Sequence, residues 1–397
     1  MIQPGNAIVN GGGIYADRRS SIGGRMEVTM KIRILLTLLA FALLLGVGVP
    51  TALAAPRGIC ISKNSGNWST AGTWSCDHVP TNTDIVIIND GYTVTLDTTG
   101  YASRLIVGGG TSGTLTQDAT PRTLSVGADG VSVSNGATLN SPSTLNVAGN
   151  LSNNGTFNHN TGTVVMNGTS AQSISGNFTF NNLTINANTD VTLNSDATVD
   201  GTLTLNDDLT VASGKVLTMG SSSSTAGDYD VVGKVKRTSS STSGTYGSQY
   251  TTITFTDGTP PNDIVVELFK TAPGGLANAV QRYYSIEPNG GNNYTFDLRL
   301  HYRDSELGTI PEADLQMWQQ VNGRWTLRAR TSNDTTNNWV EKTGLTSFSL
   351  WALSNSGAPT AVNLSSFDAR ADAPNALLFV GFGALVVLAL GVWWNRR

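Results

Sequence analysis

Few side chains in this chain could do acid–base chemistry. Asn188-Thr189-Asp190 and Asp207-Asp208 put carboxylates about three six-residue units apart, and carboxylate pairs serve as acid and base in glycoside cleavage. The three histidines, His78, His159 and His301, are widely scattered, and His159 stands in an asparagine-rich turn. No lysine or arginine occurs between Arg122 and Lys215, and no glutamate between Glu27 and Glu267. A lyase needs a base for the proton and cations for the enolate, so these aspartates lack the partners such chemistry requires. No Gly-x-Ser-x-Gly elbow or phosphate loop is present. The expectation is a chain with no catalytic residue and no cofactor site.

Two other constellations carry chemistry. Cys60 and Cys76 are the only cysteines. In an exported chain such a pair reads as a disulfide worth roughly 3 kcal/mol in the chain-entropy model, with free thiols as the alternative. Zinc is disfavoured, because only Asp77 and His78 lie near and there is no Cys-x-x-Cys. Asp190, Asp196 and Asp208 take the same place in their six-residue units, where a short carboxylate can accept a backbone hydrogen bond at a corner. In coils of three such units Asp190 and Asp208 stack ~4.8 Å apart, at a cost of roughly 1 kcal/mol in water. Either solvent relieves that corner or a cation such as Ca²⁺ bridges Asp190 and Asp208. Without a Gly-Gly-x-Gly-x-Asp repeat, solvation is the favoured reading.

The elements that position these residues follow from one periodicity. A large apolar residue returns every six positions at Val133, Leu139, Leu145, Leu151 and Phe157, and again at Leu193, Val199, Leu205, Val211 and Leu217. Thr and Asn flank these anchors, and Gly, Asn, Asp or Ser closes each unit. A strand of two or three residues cannot bury a face alone, so the units must stack. Three units per triangular coil place Val191 under Leu209 and Leu193 under Val211, which is a parallel β-helix, or β-solenoid. The ladder lapses between Thr163 and Ala187, where longer, uneven coils are expected. A sandwich with short strands is the competing reading, but sandwich turns come every ~8–12 residues.

Within residues 65–110, Trp68-Ser69, Thr73-Trp74-Ser75, Val79-Pro80, Asp84-Ile85-Val86-Ile87-Ile88, Gly91 and Val94-Thr95-Leu96-Asp97 form a spaced series. This series resembles the opening module of secreted bacterial parallel β-helix proteins, an adhesin-like, pectin-lyase-like superfold. Residues 162–185 are similar to the later coils of such proteins. Trp68 and Trp74 suit plugs over the open solenoid end, which otherwise exposes core and strand edge. The aspartate fragments are similar to pieces of the polygalacturonase signature, but no Gly-His-Gly follows and no Arg-Ile-Lys exists.

The rest divides by composition. Residues 1–29 lack periodicity and read as a mis-assigned extension before a start at Met30. Residues 30–54 carry a basic, then apolar, then small-residue pattern, a secretory signal peptide. The β-helix with its N-terminal cap spans 55–220, a polar linker 221–228, and a β-sandwich of alternating, aromatic-rich strands 229–355. Its tryptophans are expected in the core. A tether covers 356–375. Residues 376–394 are apolar and uncharged, long enough to nearly span a ~30 Å hydrocarbon layer, and a basic tail, 395–397, suits the cytoplasmic side.

Charged residues make up 13% of the chain, about half the usual ~25%, and the net charge is -4. A neutral Thr/Asn surface lacks the basic stripe that nucleic acid requires. The expected protein is all-β, exported, and held in the cell envelope by a C-terminal helix with its bulk outside. It would be a non-catalytic structural or adhesive protein whose partners are the membrane and an extracellular polysaccharide or neighbouring cell. The alternatives are a carbohydrate-binding surface module and, behind it, a polysaccharide lyase or hydrolase.

Overall fold

The computed structural model describes residues 58–355 and 357, except 188 and 239–242. The expected signal peptide, the membrane helix and the basic tail lie outside the described residues, as does the tether but for Gly357. Among the described residues no helix is long and apolar enough to cross a membrane.

The short strands wind as a parallel β-solenoid of about eight turns with three faces. The first face stacks Ile59–Ile61, Ile85–Ile88, the second half of Gly100–Val107, the end of Thr123–Val133, Leu151–Asn153, Gln172–Gly176, Val191–Leu193 and Leu209–Val211. The second carries Thr144–Val147, Thr163–Met166, Asn182–Ile185, Thr202–Leu205 and Ser224–Ala226. The third has Gly66–Asn67, Thr93–Leu96, Thr114–Gln117, Thr138–Asn140 and Thr156–Asn158, then Phe178–Phe180, Ala197–Val199 and Leu217–Met219.

The six-residue ladder explains this arrangement. Val133, Leu139, Leu145 and Leu151 fall on successive faces, each turned inward and fully buried. Thr and Asn between them point out, as the two-residue period of a strand demands. Val191 pairs with Leu209 and Leu193 with Val211, the eighteen-residue register read from the sequence. Other coils are longer, up to the twenty-eight residues from Gly66 to Val94, because corners take up insertions without disturbing the stack. Close corners require glycine: at Gly176, with φ +98°, a Cβ would lie 1.9 Å from the Asn153 carbonyl oxygen.

The first coil is closed as expected. Trp68 and Trp74 are fully buried, their rings edge to face at 5.1 Å, and Trp74 Nε1 donates to the Trp68 carbonyl at 2.9 Å. The Cys60–Cys76 disulfide ties this cap to the first strand.

The far end differs from the expectation of a linker at 221–228. Ser224–Ala226 is a strand paired with Thr202–Leu205, and Ser223 and Thr225 are buried. The next strand, Val231–Thr238, belongs to both halves of the molecule. Val231 and Val232 pair with Leu209 and Thr210, Val235 to Arg237 pair with Leu217–Met219, and the opposite edge pairs antiparallel with Asp263–Phe269. Solenoid and sandwich therefore share one hydrogen-bonded sheet.

From that strand the sheet continues through Asp263–Phe269, Ala279–Asn289, Leu350–Asn355, Leu315–Val321 and Arg324–Arg328. A five-stranded antiparallel sheet, ordered Ser243–Thr245, Thr252–Thr259, Asn292–His301, Trp339–Leu345 and Ser332–Asp334, faces it. Ile253, Phe296, Leu298 and Val340 from one sheet meet Val266, Tyr284, Met317 and Trp351 from the other. Trp318, Trp325 and Trp351 are buried, as core tryptophans should be, while half-buried Trp339 lies under the Arg299 guanidinium at 3.9 Å.

Candidate functional site

The aspartates singled out in the sequence do not converge on a reactive centre. Asp196 accepts the Val216 backbone N–H at 2.9 Å and Asp208 that of Asp230 at 3.1 Å, the corner role expected of them. His159 faces its own turn, with Nδ1 3.3 Å from the Thr161 nitrogen. His78 contacts the Val79 carbonyl at 3.0 Å. The Cys60 and Cys76 sulfurs and His78 lie within 4.8 Å of one another, but the disulfide removes both thiolates that a metal would need.

Asp190 and Asp208 do stack, and the column has a third member. Because Val191, Leu209 and Val231 are in register, the residues just before them, Asp190, Asp208 and Asp230, occupy one corner on successive levels. Asp190 is exposed to solvent. Asp208 is met by two cations: Lys270 contacts one carboxylate oxygen and Arg303 donates to the other at 2.6 Å. Both cations come from the sandwich.

Asp230 lies at the centre of this junction, 1% exposed. It accepts from Arg282 at 3.0 Å, forms an ion pair with Arg303 at 3.2 Å, and its other oxygen lies 2.8 Å from His301 Nδ1. Arg282, fully buried, also binds Glu306 through Nη2 at 2.8 Å and the His301 carbonyl at 3.2 Å. Burial pushes the Asp230 carboxyl up, but the Arg282 charge and the His301 contact outweigh it and hold it well below the usual carboxylate range. Burial pushes the adjoining Tyr284 phenol up to about 12. Perturbed groups often mark catalysis. Here each charge is bonded to protein and the centre is closed to substrate, so the cluster clamps sandwich to solenoid.

The clamp has a pH signature. A carboxylate whose folded pKa is depressed contributes stability above its unfolded value, ~3.9, and loses it as pH falls toward the folded value. The urea midpoint should therefore drop steeply as pH falls below ~4, and Asp230→Asn should flatten that drop. An unchanged slope in the variant would remove Asp230 as its source.

The open site lies elsewhere, where the third face breaks. Thr156–Asn158 and Phe178–Phe180 occupy adjacent levels, yet the first pairs only with Thr138–Asn140 and the second only with Ala197–Val199. Three phenylalanines wedge them apart. Phe157 meets Phe178 edge to face at 5.0 Å, and Phe178 stacks on Phe180 at 5.1 Å. Leu139 pairs with Phe157 on one side of the break and Ala197 with Phe178 on the other, so the three rings are packed against one another at the break itself. The break opens a surface groove of about 460 Å³. Asn153, Phe157, Asn177, Thr179, Asp196 and Thr198 are among its lining residues.

No family model, curated protein or solved structure matches this chain. Function therefore rests on the geometry. Of the groove's lining the sequence points to Asp196, as a corner carboxylate, and to Phe157, as a ladder anchor. The signal for the rest was the lapse of the six-residue ladder after Thr163, with Phe-Thr-Phe inside it. The clamp gave less signal, since Lys270, Arg282, Arg303 and Glu306 come from distant turns and strands.

Proposed function

We propose that this chain is a non-catalytic structural or adhesive protein of the bacterial cell surface that projects its β-solenoid away from the envelope. The observation that carries the reading is the strand Val231–Thr238, hydrogen-bonded to the last solenoid coil on one side and to the sandwich on the other. A module meant to hold a surface at a distance gains from such a joint, because load passes through a continuous sheet instead of a flexible tether. The uncharged Thr/Asn exterior of the coils fits the same role. In this reading residues 30–54 direct export, residues 376–394 anchor the chain, and the superfold resemblance of residues 65–110 extends to an adhesin-like role.

An epitope placed at exposed Asn194 should be labelled by antibody on intact cells, and truncation after residue 375 should release the protein into the medium. Deletion of the gene should reduce attachment or envelope integrity. Labelling that requires lysis would contradict the proposal.

A further inference from the structure

The groove on the third face has a lining specific enough to name what it holds. We propose that it binds an uncharged glycan chain laid along the solenoid axis, an inference that rests on the surface reading above and supplies its ligand class. The groove runs across the levels of Thr156, Thr179, Thr198 and Thr218, at least ~14 Å at one strand spacing per level. Its volume of about 460 Å³ falls within the ~300–1,000 Å³ of small-ligand sites. Half-buried Phe157 supplies an apolar surface for a pyranose ring, and Asn177, Asp196 and the threonines supply donors and acceptors for hydroxyl groups.

Charge and spacing exclude the other classes. The lining has one carboxylate, Asp196, and no lysine or arginine, so uronates, phosphates and nucleic acids would meet repulsion without a countercharge. A peptide added as a strand needs two strand spacings, ~9.6 Å, between the edges. Cα atoms of Thr156–Asn158 and Phe178–Phe180 approach within 8 Å, which leaves no room for one. A lipid chain would find polar side chains on most of the wall.

The test uses the full-length chain in a sugar-free detergent. Isothermal titration against a panel of neutral hexasaccharides of glucose, mannose, galactose and N-acetylhexosamines is compared with hexagalacturonate. At least one neutral glycan should bind, and hexagalacturonate should bind at least about tenfold more weakly. Thr179→Arg, at an exposed position outside the core, should abolish binding without changing the urea midpoint, and Phe157→Leu should weaken it about tenfold. The proposal is overturned by silence across the neutral panel, by equal binding of hexagalacturonate, or by full binding in folded Thr179→Arg. Surface labelling is independent of these outcomes, so the glycan assignment can fail while the surface reading stands.

Discussion

Arg282→Met should destabilise the protein by about 3–5 kcal/mol, the typical cost of removing one partner from a buried ion pair. Methionine keeps much of the volume but strands two acids, Asp230 and Glu306, that Arg282 now bridges at 3.0 and 2.8 Å. The guanidinium is wholly buried and bonded on several sides, so no water can take its place without rearrangement. Its neighbours Tyr284, Asp230 and Glu306 raise its pKa well above the ordinary arginine value even against burial, and it stays charged across the accessible pH range. Adding Asp230→Asn and Glu306→Gln removes the stranded charges. The triple variant should recover much of the loss, a non-additivity expected of one network. Urea unfolding followed by tryptophan fluorescence would measure both, and a single-variant cost under about 1 kcal/mol would show that the clamp does not hold the junction.

Trp68→Ala should cost a similar 3–5 kcal/mol, from lost transfer energy and the cavity left behind. Trp68 is fully buried at the mouth of the first coil, against Trp74 and close to Gly100. Its removal also uncovers the solenoid end, where an unpaired strand edge can recruit another chain. The variant should therefore elute as larger species in size-exclusion chromatography as well as unfold earlier. Trp339→Ala, at a half-buried site, should do neither to the same degree. A monomeric Trp68→Ala protein of unchanged stability would deny the cap its role.

Repeats that act through local periodicity were plain in the sequence. Val191 under Leu209 and Leu193 under Val211 follow from counting alone, because inward side chains at a fixed interval can share a core only if levels stack. The tryptophan plugs and the disulfide were equally readable, since each lies within a short segment. Residues 221–228 look like a linker because Ser and Thr suit loops, yet Thr225 pairs with Leu203 in a coil twenty-two residues long. That same longer coil hid Asp230 from the column of Asp190 and Asp208. The cations that neutralise the column were illegible for a plainer reason: Lys270 and Arg303 are brought there by sandwich strands whose placement no local pattern encodes. The groove falls between, its cause visible as Phe-Thr-Phe but its consequence dependent on Phe157, one coil away.

The most direct test of a solenoid and sandwich built on one strand is the distance between them in solution. Spin labels at Asn194 and Arg324, both exposed and clear of the bonded cysteines, should give one narrow distance distribution by double electron–electron resonance, unchanged between low and high salt. A broad or two-peaked distribution would mean that the halves move independently, and the rigid mount would be wrong.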